Sequence, residues 1–235
     1  MERNFIIWRF NMKRIGMVVA MRKEILPFIE NSGVEVFNES VGKYQISYFK
    51  YFHKEIYIVE SGVGEIYAAG ATQLLISKYN VEAIINFGVC GLLNDKLNLL
   101  ETVLVEGVVH YDFDLSAIDD VPSCQYPDMD TVISCKNKLF DIVEKISPIQ
   151  KVICASGDKF IADEKMKYDL FVDFGASICE MESAGVALTC LNNNIPFAVI
   201  KAVSDGKGGV DEYRKLVMSA SKSYIELIYK VLEVI

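Results

Sequence analysis

Unbroken apolar runs alternate along this chain with stretches whose apolar residues recur every three or four positions, which predicts strands and helices in turn. Lys13 to Met21 is the first apolar run. Arg22 to Asn31 follows with Ile25, Phe28 and Ile29 on one side of a helix, and Gly33 closes it. Val34 to Asn38, Tyr44 to Phe52 and Glu55 to Glu60 have the pattern of hairpin strands. The turn Ser61 to Gly64 leads into a helix, Glu65 to Lys78, rich in Ala and Leu. Ala83 to Phe87 is a buried strand ending in Gly88-Val89-Cys90-Gly91, and Leu100 to His110 is a strand with many β-branched residues. Tyr111 to Met129 is a polar loop with two prolines, and Asp130 to Ile146 is predicted as a helix. Val152 to Ala155 is a strand entering Ser156-Gly157-Asp158. Ser177 to Met181 is extended. Glu182 to Leu191 is helical, with Val186, Ala187, Cys190 and Leu191 at helical spacing. Asn192 to Asn194 stop that helix before the apolar run Phe197 to Val203. Asp211 to Val234 is predicted as one long closing helix.

Such alternation implies an α/β fold, one central mixed, mostly parallel twisted sheet flanked by helices in a single-domain three-layer sandwich. The chain has 235 residues, enough for one large domain, 12–235, preceded by an N-terminal extension, 1–11. Either Met1 or Met12 can serve as its start. A net charge of −8 argues against nucleic acid or an anionic membrane surface as partner. Cys90, Cys124, Cys135, Cys154, Cys179 and Cys190 show no CxxC spacing and several sit in apolar runs, so they are expected to be reduced core residues of a cytoplasmic protein. With only His53 and His110, and no G-x-S-x-G, a histidine metal cluster or a serine triad is not expected.

Chemistry is then expected where strands end. The stretch Ser177 to Gly206 has acid at both strand ends, Glu180 and Glu182 on one and Asp205 on the other. A right-handed crossover would bring both to the carboxyl edge of the sheet, where open α/β folds bind ligands. Glu24, Gly62, Gly64, Gly88, Gly91, Asp158, Phe160, Ile161 and Met181 follow strands in the same way. Each also has an ordinary structural explanation: Glu24 complements a helix dipole, Glu182 caps a helix, and paired glycines make tight turns. Gly62-Val63-Gly64 lacks the third glycine of a dinucleotide fingerprint, which weakens an oxidoreductase reading.

The order of these pieces resembles the nucleoside phosphorylase/nucleosidase superfamily, above all the 5′-methylthioadenosine/S-adenosylhomocysteine nucleosidases. The resemblance lies in Met21 to Glu24, Ser61 to Gly64, Asn86 to Gly91, Asp112 to Ala117, Ser156 to Ile161, Cys179 to Glu182 and Ser204-Asp205, and runs from about Met12 to the C-terminus. It implies cleavage of the N-glycosidic bond of an adenine nucleoside without a cofactor. In that case Asp205, with Ser204 beside it, is the acid toward the departing base, and Glu24 activates water. Glu182 holds ribose hydroxyls and Met181 packs under the sugar, with Glu180 in the same turn. Phe160 stacks on the purine and the main chain of Ile161 binds its edge, while Val63, Cys90, Gly91, Leu115 and Val210 line the pocket. A homodimer is also implied.

Phosphorylases of this superfamily need cations around a phosphate. Here Asn86 stands before the glycine-rich strand end and Glu24 shares the first turn with Arg22, which favours water as nucleophile. Two positions depart from the nucleosidase pattern. Val89 replaces a serine and Lys201 an arginine that help hold the water, and Lys201 lacks the planar fork. A phosphorylase, or a purine-binding homologue with little turnover, therefore stays open at this point.

Overall fold

The computed structural model describes residues 12–235, so the extension 1–11 lies outside the described residues. Ten strands and seven helices follow in the order β1 (Arg14–Val19), α1 (Arg22–Asn31), β2 (Phe37–Val41), β3 (Tyr44–Tyr51), β4 (Lys54–Glu60), α2 (Glu65–Tyr79), β5 (Ala83–Leu92), β6 (Thr102–His110), β7 (Ile133–Ser134), α3 (Lys138–Ile146), β8 (Gln150–Ser156), α4 (Glu164–Phe174), β9 (Ile178–Glu180), α5 (Ser183–Asn192), β10 (Phe197–Asp205), α6 (Gly209–Ser223) and α7 (Ile225–Val234). All ten strands join one mixed sheet, in the order β10-β6-β8-β9-β5-β1-β4-β3-β2, with β7 beside β6.

β10 also pairs with β5, so β10, β6, β8, β9 and β5 close on themselves as a five-stranded ring within the larger sheet. β1, β5 and β10 are buried on both faces, which is why they are apolar at nearly every position, whereas β2 at the sheet edge is exposed. Alternate residues of β5 enter different cores. Ile85, Phe87 and Val89 pack with α1, α3 and the closing helices, whereas Ile84 and Cys90 pack with α2 and α5.

Four expectations change. First, β9 and β10 are not neighbours across a parallel crossover. β9 runs parallel to β8 but antiparallel to the tail of β5, with Gly91 opposite Cys179, while β10 runs parallel to the body of β5. The two acid-bearing ends still converge, because β5 continues unbroken through Gly88-Val89-Cys90-Gly91 instead of turning there.

Second, Asp130 to Ile146 is not one helix. Asn137 starts α3 late, its side chain accepting from the Leu139 and Phe140 amides, after the short strand β7. Third, Glu164–Phe174 is a helix that the apolar pattern did not predict. Asp163 caps it, accepting from the Met166 amide at 2.8 Å, and Gly175 ends it at φ +67°. Fourth, the closing helix divides at Tyr224. That residue is fully buried, and its hydroxyl donates to the carbonyl of Glu24 at 2.9 Å.

No helix among the described residues is long and apolar enough to cross a membrane. All six cysteines are free and buried.

Candidate active site

A cavity of about 290 Å³ opens where β1, β5, β9 and β10 end. Its wall contains Glu24, Val63, Val89, Cys90, Gly91, Phe160, Glu180, Met181, Glu182, Ser204 and Asp205, all named from the sequence. Ala20, Met21, Cys179 and Tyr213 complete it. Of these Tyr213 was the hardest to see, because it sits on α6, far from any strand end; its ring meets Phe160 edge-on at 5.8 Å. Ile161, Lys201 and Val210 are not part of the wall: Ile161 and Lys201 are buried behind it and Val210 is exposed. Asp158 is not there either. Its carboxylate accepts from the Glu65 amide at 2.7 Å and so holds the start of α2.

Glu24 reaches the cavity from the first turn of α1 and is almost completely buried. One carboxylate oxygen accepts from the Met21 amide at 2.9 Å and the other from the Val89 amide at 3.0 Å. The main chain of Val89 thus does what its side chain cannot. Gly88 permits the approach, since a Cβ there would stand 2.8 Å from Glu24 Oε1. Burial raises the Glu24 pKa, against the lowering effect of the Val89 amide and Lys201.

Asp205 ends β10 beside an irregularity in register, where Val203 pairs with Cys90 and Asp205 with Gly91. Such bulges re-aim side chains. Ser204 Oγ donates to Asp205 Oδ1 at 2.7 Å, and Gly91 leaves room for Oδ2, which would lie 2.9 Å from a Cβ at that position. Burial pushes the Asp205 pKa up to about 6, in spite of the Ser204 hydroxyl and the ammonium of Lys167. A carboxyl tuned this way can carry a proton near neutrality and release it in a reaction.

Glu182 is the N-cap residue of α5, but its side chain bonds elsewhere: Oε1 accepts from the Gly64 amide at 3.0 Å. Gly64 has φ +109° and ψ 157°, a conformation reserved for glycine, and this aims its N–H at the carboxylate. Burial raises the Glu182 pKa, with the nearby Glu180 adding to it. Glu180 is different. Burial alone would raise it, but the Lys201 ammonium at 2.8 Å, the Ser156 hydroxyl and the Ser183 amide hold it below the usual carboxylate range. Lys201 is therefore committed to Glu180 beneath the cavity and forms no direct bond to Glu24.

Glu65, read from the sequence only as the first residue of a helix, is buried beside this group. It contacts the Ser156 hydroxyl and the Gly185 amide. No single sequence signal marks it, because an acid in the first turn of a helix is ordinary.

Residues 14–233 match the model of the phosphorylase superfamily. The aminodeoxyfutalosine nucleosidase of Helicobacter pylori (strain J99 / ATCC 700824) is 30% identical over 225 residues, covering 92% of this chain and 97% of that protein. The 5′-methylthioadenosine/S-adenosylhomocysteine nucleosidase of Staphylococcus aureus (strain JH9) is 31% identical over 206 residues, covering 84% and 89%. Among solved structures, the 5′-methylthioadenosine/S-adenosylhomocysteine nucleosidase from Helicobacter pylori with butyl-thio-DADMe-Immucillin-A superimposes with a TM-score of 0.89. It is 27% identical, and the match covers 95% of this chain and 99% of that one.

Proposed function

The chain belongs to the phosphorylase superfamily, and from that we propose that it is an N-glycosyl hydrolase acting on an adenine nucleoside. The substrate is 5′-methylthioadenosine, S-adenosylhomocysteine or a related 5′-substituted adenine nucleoside, and the products are adenine and the free 5-substituted ribose. The observation that carries this reading is the pair Glu24 and Asp205. Both are buried carboxyls with raised pKa, and they enter one cavity through two separate glycine gaps in β5.

Cleavage builds positive charge on the ribose carbon and ring oxygen while the base leaves with the bonding electrons. In our reading Asp205 donates a proton to the purine N7, so adenine departs neutral. Ser204 orients that carboxyl through its 2.7 Å bond. Glu24 accepts a proton from the attacking water, and Glu182 accepts hydrogen bonds from ribose hydroxyls. Met181 packs under the sugar and Phe160 stacks on the purine; both line the cavity. Ile161 approaches the purine edge through its main chain, and Val210 and a partner subunit close the 5′ end. We further propose a cytoplasmic homodimer, consistent with six reduced cysteines.

The test is to incubate the protein with methylthioadenosine, S-adenosylhomocysteine and a panel of purine nucleosides, with and without phosphate, and follow adenine. Release in both buffers is expected. Release only with phosphate would replace hydrolysis by phosphorolysis, and no release from any nucleoside would remove the enzymatic reading.

A further inference from the structure

Glu180 in the cavity wall leads back to three buried polar side chains behind it, Glu65, Ser156 and Lys201, and the proposed reaction uses none of the four directly. Their hydrogen bonds can be counted. Ser156 has one hydroxyl proton and two lone pairs. One lone pair takes the Ala184 N–H at 3.1 Å. The oxygen also contacts Glu180 Oε1 at 2.6 Å and Glu65 Oε1. A single proton cannot serve two carboxylates, so one of them must bring its own.

Glu180 is the ionised member. It is paired with Lys201 at 2.8 Å and accepts the Glu182 and Ser183 amides, each at 3.1 Å. Glu65 makes no ion pair among the described residues; its other oxygen accepts the Gly185 N–H. The groups facing it are Ser156 from β8, Glu180 from β9, Glu182 and the amides at the start of α5, and Tyr111 and Tyr126 from the 111–129 loop. Asp158 accepts from its main-chain amide, and Lys201 stands on the far side of Glu180. Apart from Lys201 none of these is a cation. Burial and Glu180 both press the Glu65 carboxyl toward its neutral form.

We propose that Glu65 is a positioning residue that stays protonated and donates to Ser156, completing a chain Glu65–Ser156–Glu180–Lys201. That chain fixes three consecutive amides, Ser183, Ala184 and Gly185, at the first turn of α5. The residue just before them is Glu182, in the cavity wall. Gly185 is the crossing point of α2 and α5: a Cβ there would stand 2.5 Å from the Glu65 carbonyl oxygen. The effect on turnover rests on the nucleosidase reading, because there Glu182 holds the ribose. The protonation does not.

The experiment compares wild type, Glu65→Gln and Glu65→Ala. Glutamine places a donor group and an acceptor oxygen where the protonated acid has them, one N–H toward Ser156 and the carbonyl toward the Gly185 amide, so Glu65→Gln keeps wild-type kcat at neutral pH. Glu65→Ala leaves Ser156 and Gly185 short of a partner and lowers kcat about tenfold, the scale of one buried hydrogen bond left unmade. Two readouts need no substrate. The infrared difference spectrum of wild type minus Glu65→Gln shows a protonated-carboxyl band at neutral pH.

The second readout is unfolding temperature against pH. An acid whose folded pKa is raised contributes stability below its unfolded pKa and loses it as pH rises through the folded one. Wild type therefore loses stability relative to Glu65→Gln as pH climbs above the ordinary glutamate value of 4.5. Absence of the infrared band, or parallel pH curves for the two proteins, overturns the proposal. So does Glu65→Gln falling as far as Glu65→Ala. If wild type releases no adenine while the band and the pH difference are present, the nucleosidase reading fails and the protonated chain stands.

Discussion

Asp205 ends β10 and Glu180 ends β9; both are buried and both accept a serine hydroxyl, yet they are driven in opposite directions. Asp205 has one hydroxyl at Oδ1 and open space by Gly91 at Oδ2, and its pKa is pushed up to about 6. Glu180 has a lysine, a hydroxyl and two amides around it, and it is held below the ordinary range. Burial is the largest single influence on each. What separates them is the number of donors that burial brings along. One carboxyl is left short of donors and can carry a proton to a ligand, while the other is saturated and holds the floor of the cavity in place.

The largest effect that tests this contrast comes from Asp205→Asn. The amide keeps the shape but has no acidic proton, so kcat for adenine release should drop by about 10²- to 10⁴-fold, the usual worth of a positioned general acid. The folded state should be affected little, because Asp205 makes no ion pair with Lys167, whose Nζ instead donates to the Gly206 carbonyl at 2.6 Å. Single-turnover kinetics alongside a melting curve separate the two quantities. Near-normal turnover would reduce Asp205 to the same structural class as Glu180.

Lys201→Met breaks the comparison from the other side. It leaves the Glu180 carboxylate buried without its counter-charge, with only the Ser156 hydroxyl and two amides to hold it, and losing one partner of a buried pair costs about 3–5 kcal/mol of stability. The pH dependence gives the sign. With Lys201 present the folded Glu180 pKa is depressed, so its contribution is present above the unfolded value of 4.5 and lost as pH falls. Without Lys201 burial dominates and the folded pKa rises. The deficit of Lys201→Met is then largest at neutral pH and shrinks toward acid, where Glu180 takes up a proton. Denaturant titrations at several pH values measure it; a deficit that does not change with pH would mean that Glu180 never depended on Lys201.

Glu180, Glu182 and Asp205 were legible in the sequence because they stand at the ends of apolar runs, and Glu24 because it follows one into a helix, all where strands of an open α/β sheet reach its ligand-binding edge. Glu65 was not legible, since its position after Gly64 is just where a helix start accepts an acid for electrostatic reasons alone; only the folded contact with Ser156 distinguishes it. The alternation of elements gave the layered α/β class. It did not give the closed ring, because β9 has three residues and its pairing to β5 depends on how far the sheet curls. α4 escaped for a related reason. Among its side chains only Lys167 and Leu170 are buried, so it presents no clear apolar stripe. Lys201 lies in an apolar run and looked like a cavity residue, but a lysine can reach past the wall, and its ammonium goes to Glu180 instead.

The smallest change sharpens the contrast most directly. If Asp205 differs from Glu180 by its shortage of donors, removing the one hydroxyl it has should carry it further the same way. Ser204 Oγ has a single proton and two acceptors in reach, Asp205 Oδ1 at 2.7 Å and the Cys90 carbonyl at 3.2 Å, and the shorter contact is the carboxylate. That bond favours the ionised acid, so Ser204→Ala raises the Asp205 pKa further. In the proposed reaction kcat/KM depends on the protonated acid and should therefore fall in wild type as pH rises through about 6. In Ser204→Ala this alkaline limb moves upward by about one pH unit, since a hydrogen bond to a charged group contributes about 1.5 kcal/mol and one pKa unit corresponds to about 1.4 kcal/mol. A pH–rate profile decides it. A limb that stays in place would mean that the hydroxyl spends its proton on Cys90, and a limb that moves toward acid would mean that Ser204 stabilises the protonated form.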